Sequence, residues 1–187
     1  IIKYNIEQTV FSYEYAAKLS AAAKENNIKL RIHIALDTGM GRIGFLPNDE
    51  SVNEVVKISK LPNIEIEGLF SHFSTSDEKD KRYTYTQFEK FNWFYDELKK
   101  KNVKVNIRHI ANSAAIMELP KTHYEASRPG IILYGYYPSD EVDKNKLKLK
   151  PIMTLKTNVV HIKKMLPGQY ISYGRKFKCE RESVIAT

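Results

Sequence analysis

The sequence predicts an α/β fold in which residues 1–150 form part of a (β/α)8 barrel, or TIM barrel, and residues 151–187 begin a β-rich domain. Strand-like and helix-like segments alternate along the first 150 residues. After Pro151 the pattern changes to the alternating polarity of strands. Polar and titratable side chains also recur where successive strands end, which is where barrel enzymes build their active sites.

The first βα unit occupies roughly residues 1–26. The segments "IIKYNI" and "TVF" are rich in apolar and β-branched residues and predict extended structure. Ser12 suits a helix N-cap, so we expect a helix from Tyr13 to about Asn26. The next strand is "LRIHIALD", which leads directly into a glycine-rich loop.

The second and third units follow the same order. A helix is predicted over 49–61, where valines at positions i, i+3 and i+4 form a stripe, and "IEIEGLFSHF" is predicted as a strand. The long helix predicted over 83–101 has an apolar face that consists of Phe88, Phe91, Tyr95 and Leu98.

The remaining elements are shorter. We predict a strand at "VKVNIRHIA", a short helix at "SAAIMEL", and a turn followed by an apolar segment at "SRPGIILYG". The order βαβαβαβ predicts a parallel sheet with helices outside it. Beyond Pro151, "IMTLKTNVVHIKKM" is predicted as one long strand, and "QYISYG" and "SVIAT" as further strands.

The composition is that of a globular protein and excludes several classes of function. No run approaches the roughly 18 apolar residues of a membrane span, and no secretory signal is visible. The net charge of +8 comes from 30 basic and 22 acidic residues spread along the chain. We interpret it as a solvated basic surface rather than a nucleic-acid site. A single cysteine, Cys179, allows no internal disulfide and indicates a reducing cytoplasm.

The loop "GMGRIG", residues 39–44, matches the dinucleotide-binding pattern G-x-G-x-x-G, so an NAD enzyme is one hypothesis. That hypothesis requires a helix that opens within the glycine loop. Here Pro47 delays the helix to about Asp49, and the acidic residue expected about 20 positions later would lie inside a strand. We therefore interpret the loop as the support of Arg42, with Asp37 at its base.

A recurring set of polar residues follows the predicted strands: Asp37 and Arg42, then His72, then His109 with Asn112 and Ser113, then Arg128. A histidine at a strand end is often only a hydrogen-bonded structural residue, and Asn112 and Ser113 would also suit a helix N-cap. The turns "NSAA" and "RPGI" nevertheless present backbone N–H groups. Two such turns on adjacent strands would form a phosphate-binding cup.

Five motifs, taken in their order, resemble those of the alanine racemase family, whose members use pyridoxal 5′-phosphate (PLP). They are "DTGMGRIGF", "GLFSHFSTSDE", "HIANSAA", "SRPGIILYG" and "PGQYISYGRKF", and they span roughly residues 30–177. The resemblance implies an isomerase that interconverts L-alanine and D-alanine, and so supplies D-alanine for the cell wall. It also implies a (β/α)8 barrel followed by a β-rich domain, in agreement with the change of pattern near Pro151.

The resemblance implies a set of cofactor-binding residues: Asn112, Ser113, Arg128, Gly130, Ile131 and His109. In this set, Ser113, Gly130 and Ile131 would bind the phosphate. Arg128 would contact the pyridine nitrogen, with His109 behind it. No metal is implied.

The catalytic set implied by the resemblance is Tyr173, His72 and Arg128. Tyr173 would be one of two bases that exchange the Cα proton, and His72 would stand beside the cofactor and bond to this tyrosine. Arg42 would bind the substrate carboxylate. Because arginine does not give up its proton, Arg128 would leave the pyridine nitrogen unprotonated and make PLP a moderate electron sink.

The chain also departs from the family pattern. The lysine that forms the Schiff base with PLP belongs to a "KxNAYGHG"-like motif, and no such motif occurs in these residues. Ala35 stands where many members have a lysine that braces the arginine matched by Arg42, so we expect another brace. The chain opens on an apolar run without Met and stops in a strand-like segment. We therefore expect an internal fragment that is inactive by itself.

In the intact protein, the resemblance implies a cytoplasmic homodimer, because the residue matched by Tyr173 serves the partner subunit's barrel. Its small-molecule substrate would be alanine, and neither nucleic acid nor a membrane is expected as a partner. Two alternatives stay open. One is a serine or broad-specificity racemase of the same fold, and the other is a non-catalytic PLP-binding barrel protein.

Overall fold

The computed structural model describes residues 1–187, apart from the side chain of Ile2, and divides into two units, Ile1–Ile152 and Met153–Thr187. In the first unit strands and helices alternate. In chain order they are β1 (Gln8–Val10), α1 (Tyr13–Glu25), β2 (Leu30–Ala35), α2 (Asp49–Ile58), β3 (Ile64–Phe70), α3 (Arg82–Lys100), β4 (Ile107–His109) and α4 (Ser113–Glu118).

The strands of the first unit form a parallel sheet in the order β1-β2-β3-β4. Each strand therefore pairs with the next one along the chain, as Val10 does with Ile34 and Phe70 with His109. Sequential parallel strands joined through helices are the building plan of a (β/α)8 barrel. The predicted α/β class, a partial barrel, is confirmed.

One face of this sheet is buried against the helices. Val10, Ile32, Ile34 and Leu69 lie on this face and are fully buried, together with Phe91 of α3. Burying each such side chain contributes roughly 1.5–3 kcal/mol, so this face holds the unit together. Successive side chains of a strand point to opposite faces of the sheet. The other face therefore carries a different set, which by register includes Thr9, His33, Gly68, Phe70 and His109.

The first two helices begin where the sequence predicts, because a polar side chain caps each of them. The Oγ of Ser12 accepts a hydrogen bond from the backbone N of Tyr15 at 3.2 Å, and the Oδ1 of Asn48 accepts one from the backbone N of Ser51 at 2.9 Å. Each cap satisfies a backbone donor that has no partner inside the helix. The helix predicted to start near Asp49 after Pro47 is thus confirmed.

The apolar face predicted for α3 packs against the core, although it is not the most deeply buried stripe of the helix. Phe91 and Leu98 are buried as predicted, but Phe88 and Tyr95 are only half-buried. The buried stripe instead contains Thr84, Gln87, Phe91, Phe94 and Leu98. Two polar residues of this stripe, Thr84 and Gln87, are tolerated inside because their side chains form hydrogen bonds there.

The extended structure predicted for "IIKYNI" is also wrong, since Ile2–Tyr4 form a 3-10 turn. A strand requires a backbone partner, and only three residues of this region pair with β2. The apolar segment after "SRPG" forms a 3-10 helix, Ile131–Tyr134. It ends at Gly135, whose φ of 82° lies in the left-handed region that glycine favours.

The second unit consists of two antiparallel pairs. β5 (Ile162–Met165) pairs with β8 (Ser183–Ala186), and β6 (Tyr170–Ile171) pairs with β7 (Phe177–Lys178). The long strand predicted for "IMTLKTNVVHIKKM" is wrong, because only its last four residues have a partner in β8. The strand predicted for "QYISYG" shortens to two residues, since the chain turns into a 3-10 segment at Tyr173–Arg175.

Within the described residues, no helix is both long enough and apolar enough to cross a membrane. In the same residues, no three side chains of His, Cys, Asp or Glu come together in a group that could hold a metal ion.

Candidate active site

The glycine loop between β2 and α2 is held by one carboxylate. The Oδ1 of Asp37 accepts hydrogen bonds from the backbone N of Gly39 at 2.9 Å and of Gly41 at 3.0 Å. The loop closes where the backbone N of Phe45 donates to the carbonyl of Ala35 at 2.9 Å. Arg42 lies in the middle of this closed loop and is exposed. Asp37 is thus the base of a tight loop that presents one arginine.

The structure contradicts the NAD hypothesis, which required a helix that opens within the glycine loop. The described residues 37–44 contain no helical turn, and α2 starts only at Asp49. Gly44 serves the closure of the loop instead. Its φ is 128°, and a Cβ at this position would lie 2.7 Å from the backbone N of Asp37. The glycines therefore permit a close backbone approach rather than a pyrophosphate site.

Arg128 is held from several sides just beyond the ends of β3 and β4. Its Nη1 donates to the carbonyl of His109 at 2.8 Å and contacts the Nδ1 of the same residue at 2.5 Å. Its Nη2 donates to the carbonyl of Ser71 at 2.6 Å and lies 3.3 Å from the Nδ1 of His72. Because a guanidinium group can only donate, both histidines present Nδ1 as an acceptor. These contacts fix the plane of the guanidinium group.

Burial and positive charge keep the two histidines neutral. Burial, followed by the charge of Arg128 and by the neighbouring His33, lowers the pKa of His109 to about 3. Burial also lowers the pKa of His72, and the charges of Arg128 and Arg42 add to this effect. Burial and the charge of Arg42 lower the pKa of Arg128, which nevertheless stays a cation. The glycine loop thus brings the charge of Arg42 within reach of His72 and Arg128.

We expect the first unit to lose stability as the pH falls below 6.5. The unfolded chain binds protons on histidine from about pH 6.5, whereas folded His109 takes up its proton only near pH 3. Between these values the unfolded state binds more protons, so the free energy of unfolding falls by up to about 1.4 kcal/mol per pH unit. Urea unfolding at pH 7.5 and pH 5.5 measures this loss above the pH range in which carboxylates titrate.

A proton NMR titration of the imidazole groups provides the control for this expectation. The ring of His109 should show no titration between pH 8 and pH 5. A midpoint for His109 near 6.5 would contradict the expectation.

A buried polar network that contacts the backbone of His72 was not predicted from the sequence. Gln87 of α3 is fully buried, and its Nε2 donates to the carbonyl of His72 at 3.1 Å. Its Oε1 accepts hydrogen bonds from the backbone N and the Oγ of Ser74 at 3.0 and 3.1 Å. Thr38 of the glycine loop lies 2.8 Å from the Oγ of Ser71. The network therefore ties the glycine loop to the loop that carries His72.

The sequence contained a signal for Gln87 that the prediction did not use. Gln87 lies four residues before Phe91 and seven before Phe94, so it shares a helix face with two core aromatics. A polar residue on an apolar face indicates either a cap, a surface position or a buried hydrogen-bond partner, and only the structure distinguishes these.

The turns "NSAA" and "RPGI" lie in direct contact. The backbone N of Gly130 donates to the Oγ of Ser113 at 2.9 Å. Asn112 is the N-cap of α4, since its Oδ1 accepts hydrogen bonds from the backbone N of Ala115 at 3.1 Å and the Oγ of Ser76 at 2.8 Å. Within the described residues, the backbone N of Ile131 has no hydrogen-bond partner. The capping interpretation of Asn112 is therefore correct, and one backbone donor stays available at the same turn.

One cavity of about 420 Å³ brings most of the predicted site residues together. It is lined by His72, Asn112, Ser113, Arg128, Gly130 and Ile131 of the predicted set. Arg42 lines a smaller space of about 20 Å³ that shares His72 and Met40 with this cavity. His109 lies behind Arg128 and contacts it directly. Tyr173 belongs to the second unit, where its side chain is 98% exposed.

The expected brace for Arg42 is not found in the part of the chain that the structure describes. Ala35 is buried in β2, and no described side chain forms a hydrogen bond or an ion pair with the guanidinium group of Arg42. The position of Arg42 therefore depends on the closed loop beneath it.

The donors and charges around the cavity suit PLP, which carries a phosphate and a pyridine nitrogen that accepts hydrogen bonds. The free N–H of Ile131 and the hydroxyl of Ser113 are groups that bind phosphate oxygens. Arg128 is a permanent donor in the wall, and Asp77 is the acidic residue among the lining side chains. Met40, Phe73 and other apolar residues complete the lining. The residues present thus fit the cofactor.

Comparison with known proteins assigns the two parts of the chain consistently. Residues 1–138 match the family model "Alanine racemase, N-terminal domain", and residues 152–187 match "Alanine racemase, C-terminal domain". The chain is 81% identical over 187 residues to alanine racemase 1 of Clostridium acetobutylicum and 65% identical to the alanine racemase of Clostridium novyi. Each alignment covers 100% of this chain and 48% of the relative.

Among solved structures, the alanine racemase of Clostridium difficile 630 is similar over most of the chain. The TM-score is 0.86 at 46% sequence identity, with 97% of this chain and 47% of that chain covered. The chain therefore spans about half the length of the relatives that it matches.

Proposed function

The chain belongs to the alanine racemase family, and from this premise we propose that a longer polypeptide containing it, here called the parent protein, interconverts L-alanine and D-alanine with PLP. The observation that carries the proposal is the convergence of six predicted site residues on one cavity. We further propose that residues 1–150 are the barrel portion and that residues 151–187 begin the second domain. The division of the chain after Ile152 supports this assignment.

In this proposal, the turns at one end of the cavity bind the phosphate. Ser113 contributes its hydroxyl, and Gly130 and Ile131 contribute the backbone of the "RPGI" turn. Asn112 caps α4 and has an amide group that also lines the cavity. Because Ser113 and Gly130 are already hydrogen-bonded to each other, the cup keeps its shape before a phosphate binds.

Arg128 is proposed to contact the pyridine nitrogen, with His109 behind it. PLP supplies the electron sink that weakens the bond between Cα and its proton. Arg128 cannot transfer a proton to the ring nitrogen, because the guanidinium group keeps its protons at all working pH values. A moderate sink favours return of the proton to Cα over other reactions of the substrate.

Two further residues are proposed to handle the substrate. Arg42 offers a positive charge to the alanine carboxylate, and Tyr173 exchanges the Cα proton on one face of the substrate. Racemisation needs a proton-transfer group on each face, so a second base is required opposite Tyr173. His72 is proposed to hydrogen-bond this tyrosine, and its lowered pKa makes it a neutral partner. Tyr173 is proposed to serve the partner subunit in a cytoplasmic homodimer, whose D-alanine is used in the cell wall.

We expect the isolated 187-residue chain to show no racemisation and no internal imine absorbance when PLP is added. None of the described residues that line the cavity is a lysine, so no amine stands where the aldehyde of PLP could be captured. The parent protein should racemise alanine under the same conditions. Racemisation is followed by circular dichroism and the imine by visible absorption. Turnover by the isolated chain would contradict the inactivity, and an inactive parent protein would contradict the function.

The same assay distinguishes between the candidate substrates. Relative turnover of D-alanine and D-serine by the parent protein distinguishes an alanine racemase from a serine or broad-specificity racemase. Cofactor binding without turnover of either amino acid would indicate a non-catalytic PLP-binding protein.

A further inference from the structure

A line of hydrogen bonds runs across the sheet from Arg128 to the segment before β1. His109 on β4 contacts Arg128 through Nδ1 at 2.5 Å, and its Nε2 lies 2.9 Å from the Nδ1 of His33 on β2. The Nε2 of His33 lies 2.6 Å from the Oε2 of Glu7. The other carboxylate oxygen, Oε1, pairs with Arg31 at 2.8 Å. We call Glu7, His33 and His109 the relay.

Arg128 at one end and Glu7 at the other determine which atom donates in each hydrogen bond of the relay. Arg128 can only donate, so the Nδ1 of His109 must accept and its Nε2 carries the proton. That proton is donated to the Nδ1 of His33, which leaves the proton of His33 on Nε2. An ionised carboxylate can only accept, so Glu7 requires this same tautomer of His33. Arg128 and Glu7 therefore require the same positions of the protons on the two imidazole rings, and the opposite positions are excluded.

The sheet around the relay is shaped to hold these two rings. Gly68 of β3 lies opposite His33, and a Cβ at Gly68 would lie 2.0 Å from the Nδ1 of His33. Two residues further along the same face, the ring of Phe70 stacks on that of His109 at 5.0 Å between centroids and an angle of 4°. An absent side chain on β3 thus makes room for one ring, and an aromatic ring on β3 orients the other.

The members of the relay are shielded but polar. The side chain of His33 is 16% exposed and that of Glu7 is 29% exposed. Hydrogen bonds between partly buried groups of this kind hold a fixed geometry because water competes for them only weakly. Arg31 forms an ion pair with Glu7 and so balances the charge of this carboxylate.

We propose that Glu7 and His33 are positioning residues for Arg128, acting through His109 by holding its proton on Nε2 and its Nδ1 toward the guanidinium group. This inference rests on the proposed function only in that Arg128 is taken to contact PLP. Neither Glu7 nor His33 lines the cavity. Loss of the relay should therefore change the tautomer of His109, and the rate of the reaction should change as a consequence.

Two variants of the parent protein test this inference. His33→Phe keeps a ring in the space beside Gly68 but removes both nitrogens, so His109 loses its acceptor. Glu7→Gln keeps the shape but offers a donor as well as an acceptor, so the arrangement is then enforced from the Arg128 end alone. Glu65→Gln is the matched control, since Glu65 lies on the neighbouring strand and pairs with Lys29 at 3.1 Å outside the relay.

The first measurement is nitrogen NMR of labelled histidines without cofactor, which reports the tautomer of His109 directly. We expect the wild type and Glu65→Gln to show one tautomer with the proton on Nε2. Both relay variants should show a second population, in which the ring of His109 has left Arg128 and carries its proton on Nδ1. An unchanged His109 signal in both folded relay variants would overturn the inference. Circular dichroism confirms folding, and Glu7→Gln serves where His33→Phe does not fold.

The second measurement is the kinetics of alanine racemisation with PLP. We expect kcat of the relay variants to fall by about tenfold, the size seen when outer hydrogen-bond partners of a site are removed, with little change in KM. A changed tautomer with unchanged kcat would overturn the positioning role. An inactive wild type with the expected tautomer would instead count against the proposed function, so the two failures are distinguishable.

Discussion

Replacement of Arg128 by leucine is expected to lower kcat/KM of the parent protein for alanine by about 10²–10³-fold, the effect of removing a fixed donor from an active site. The physical reason is that the structure gives Arg128 four protein acceptors, namely the carbonyls of Ser71 and His109 and the Nδ1 atoms of His72 and His109. Its guanidinium group is therefore oriented before the cofactor binds. Racemisation is measured by circular dichroism in the direction of either enantiomer.

The same variant should also unfold more easily. Leucine leaves partly buried acceptors without a donor, which costs about 1–3 kcal/mol for each unsatisfied group. Arg82→Leu is the matched control, because the side chain of Arg82 is 92% exposed and pairs only with Asp80. That control should retain both activity and stability. A value of kcat/KM for Arg128→Leu close to that of the wild type would remove Arg128 from the proposed mechanism.

Replacement of Tyr173 by phenylalanine is expected to slow proton exchange at Cα strongly on one face of the substrate. General acid–base groups contribute about 10²–10⁴-fold, so exchange of solvent deuterium into one enantiomer should fall by that factor. Exchange into the other enantiomer should persist, because the opposite face uses a different base. Net racemisation should fall equally in both directions, since the two enantiomers have equal free energies.

Deuterium exchange is therefore the decisive measurement for Tyr173. The parent protein is incubated in heavy water with each enantiomer, and deuterium at Cα is followed by NMR. Tyr170→Phe is a suitable control, since Tyr170 lies three residues earlier in β6 and is also partly exposed. Equal loss of exchange from both enantiomers, or no loss, would contradict the assignment of Tyr173.

The glycine loop shows how far a local pattern reaches. "GMGRIG" alone matches a dinucleotide site, and the position of Pro47 already argued against it. The structure adds the reason for the glycines, because Gly44 approaches the backbone of Asp37 too closely for any side chain. The motif thus predicted a tight loop correctly. The role of that loop could be assigned only from its contacts in the structure.

The residues that line the candidate site could be predicted from the sequence, whereas the residues that support them from behind could not. Residues next to the ends of strands converge in a barrel, so His72, Asn112 and Arg128 were expected near one another, and the structure places all three around one cavity. Gln87 and His33 were missed. They lie within a helix and a strand, where a single polar residue carries no local sign of its partner.

The sequence by itself determined the α/β class, the order of the βα units and the helix starts, because periodicity and caps act over a few residues. The family resemblance came from five motifs in their order. Only the tertiary structure decided which polar groups meet. His33 and His109 are 76 residues apart, and Glu7 and His33 are 26 apart. Parallel strands place such residues side by side only after whole βα units have folded between them. Short-range patterns therefore predicted the elements, whereas sheet register selected the hydrogen-bond partners.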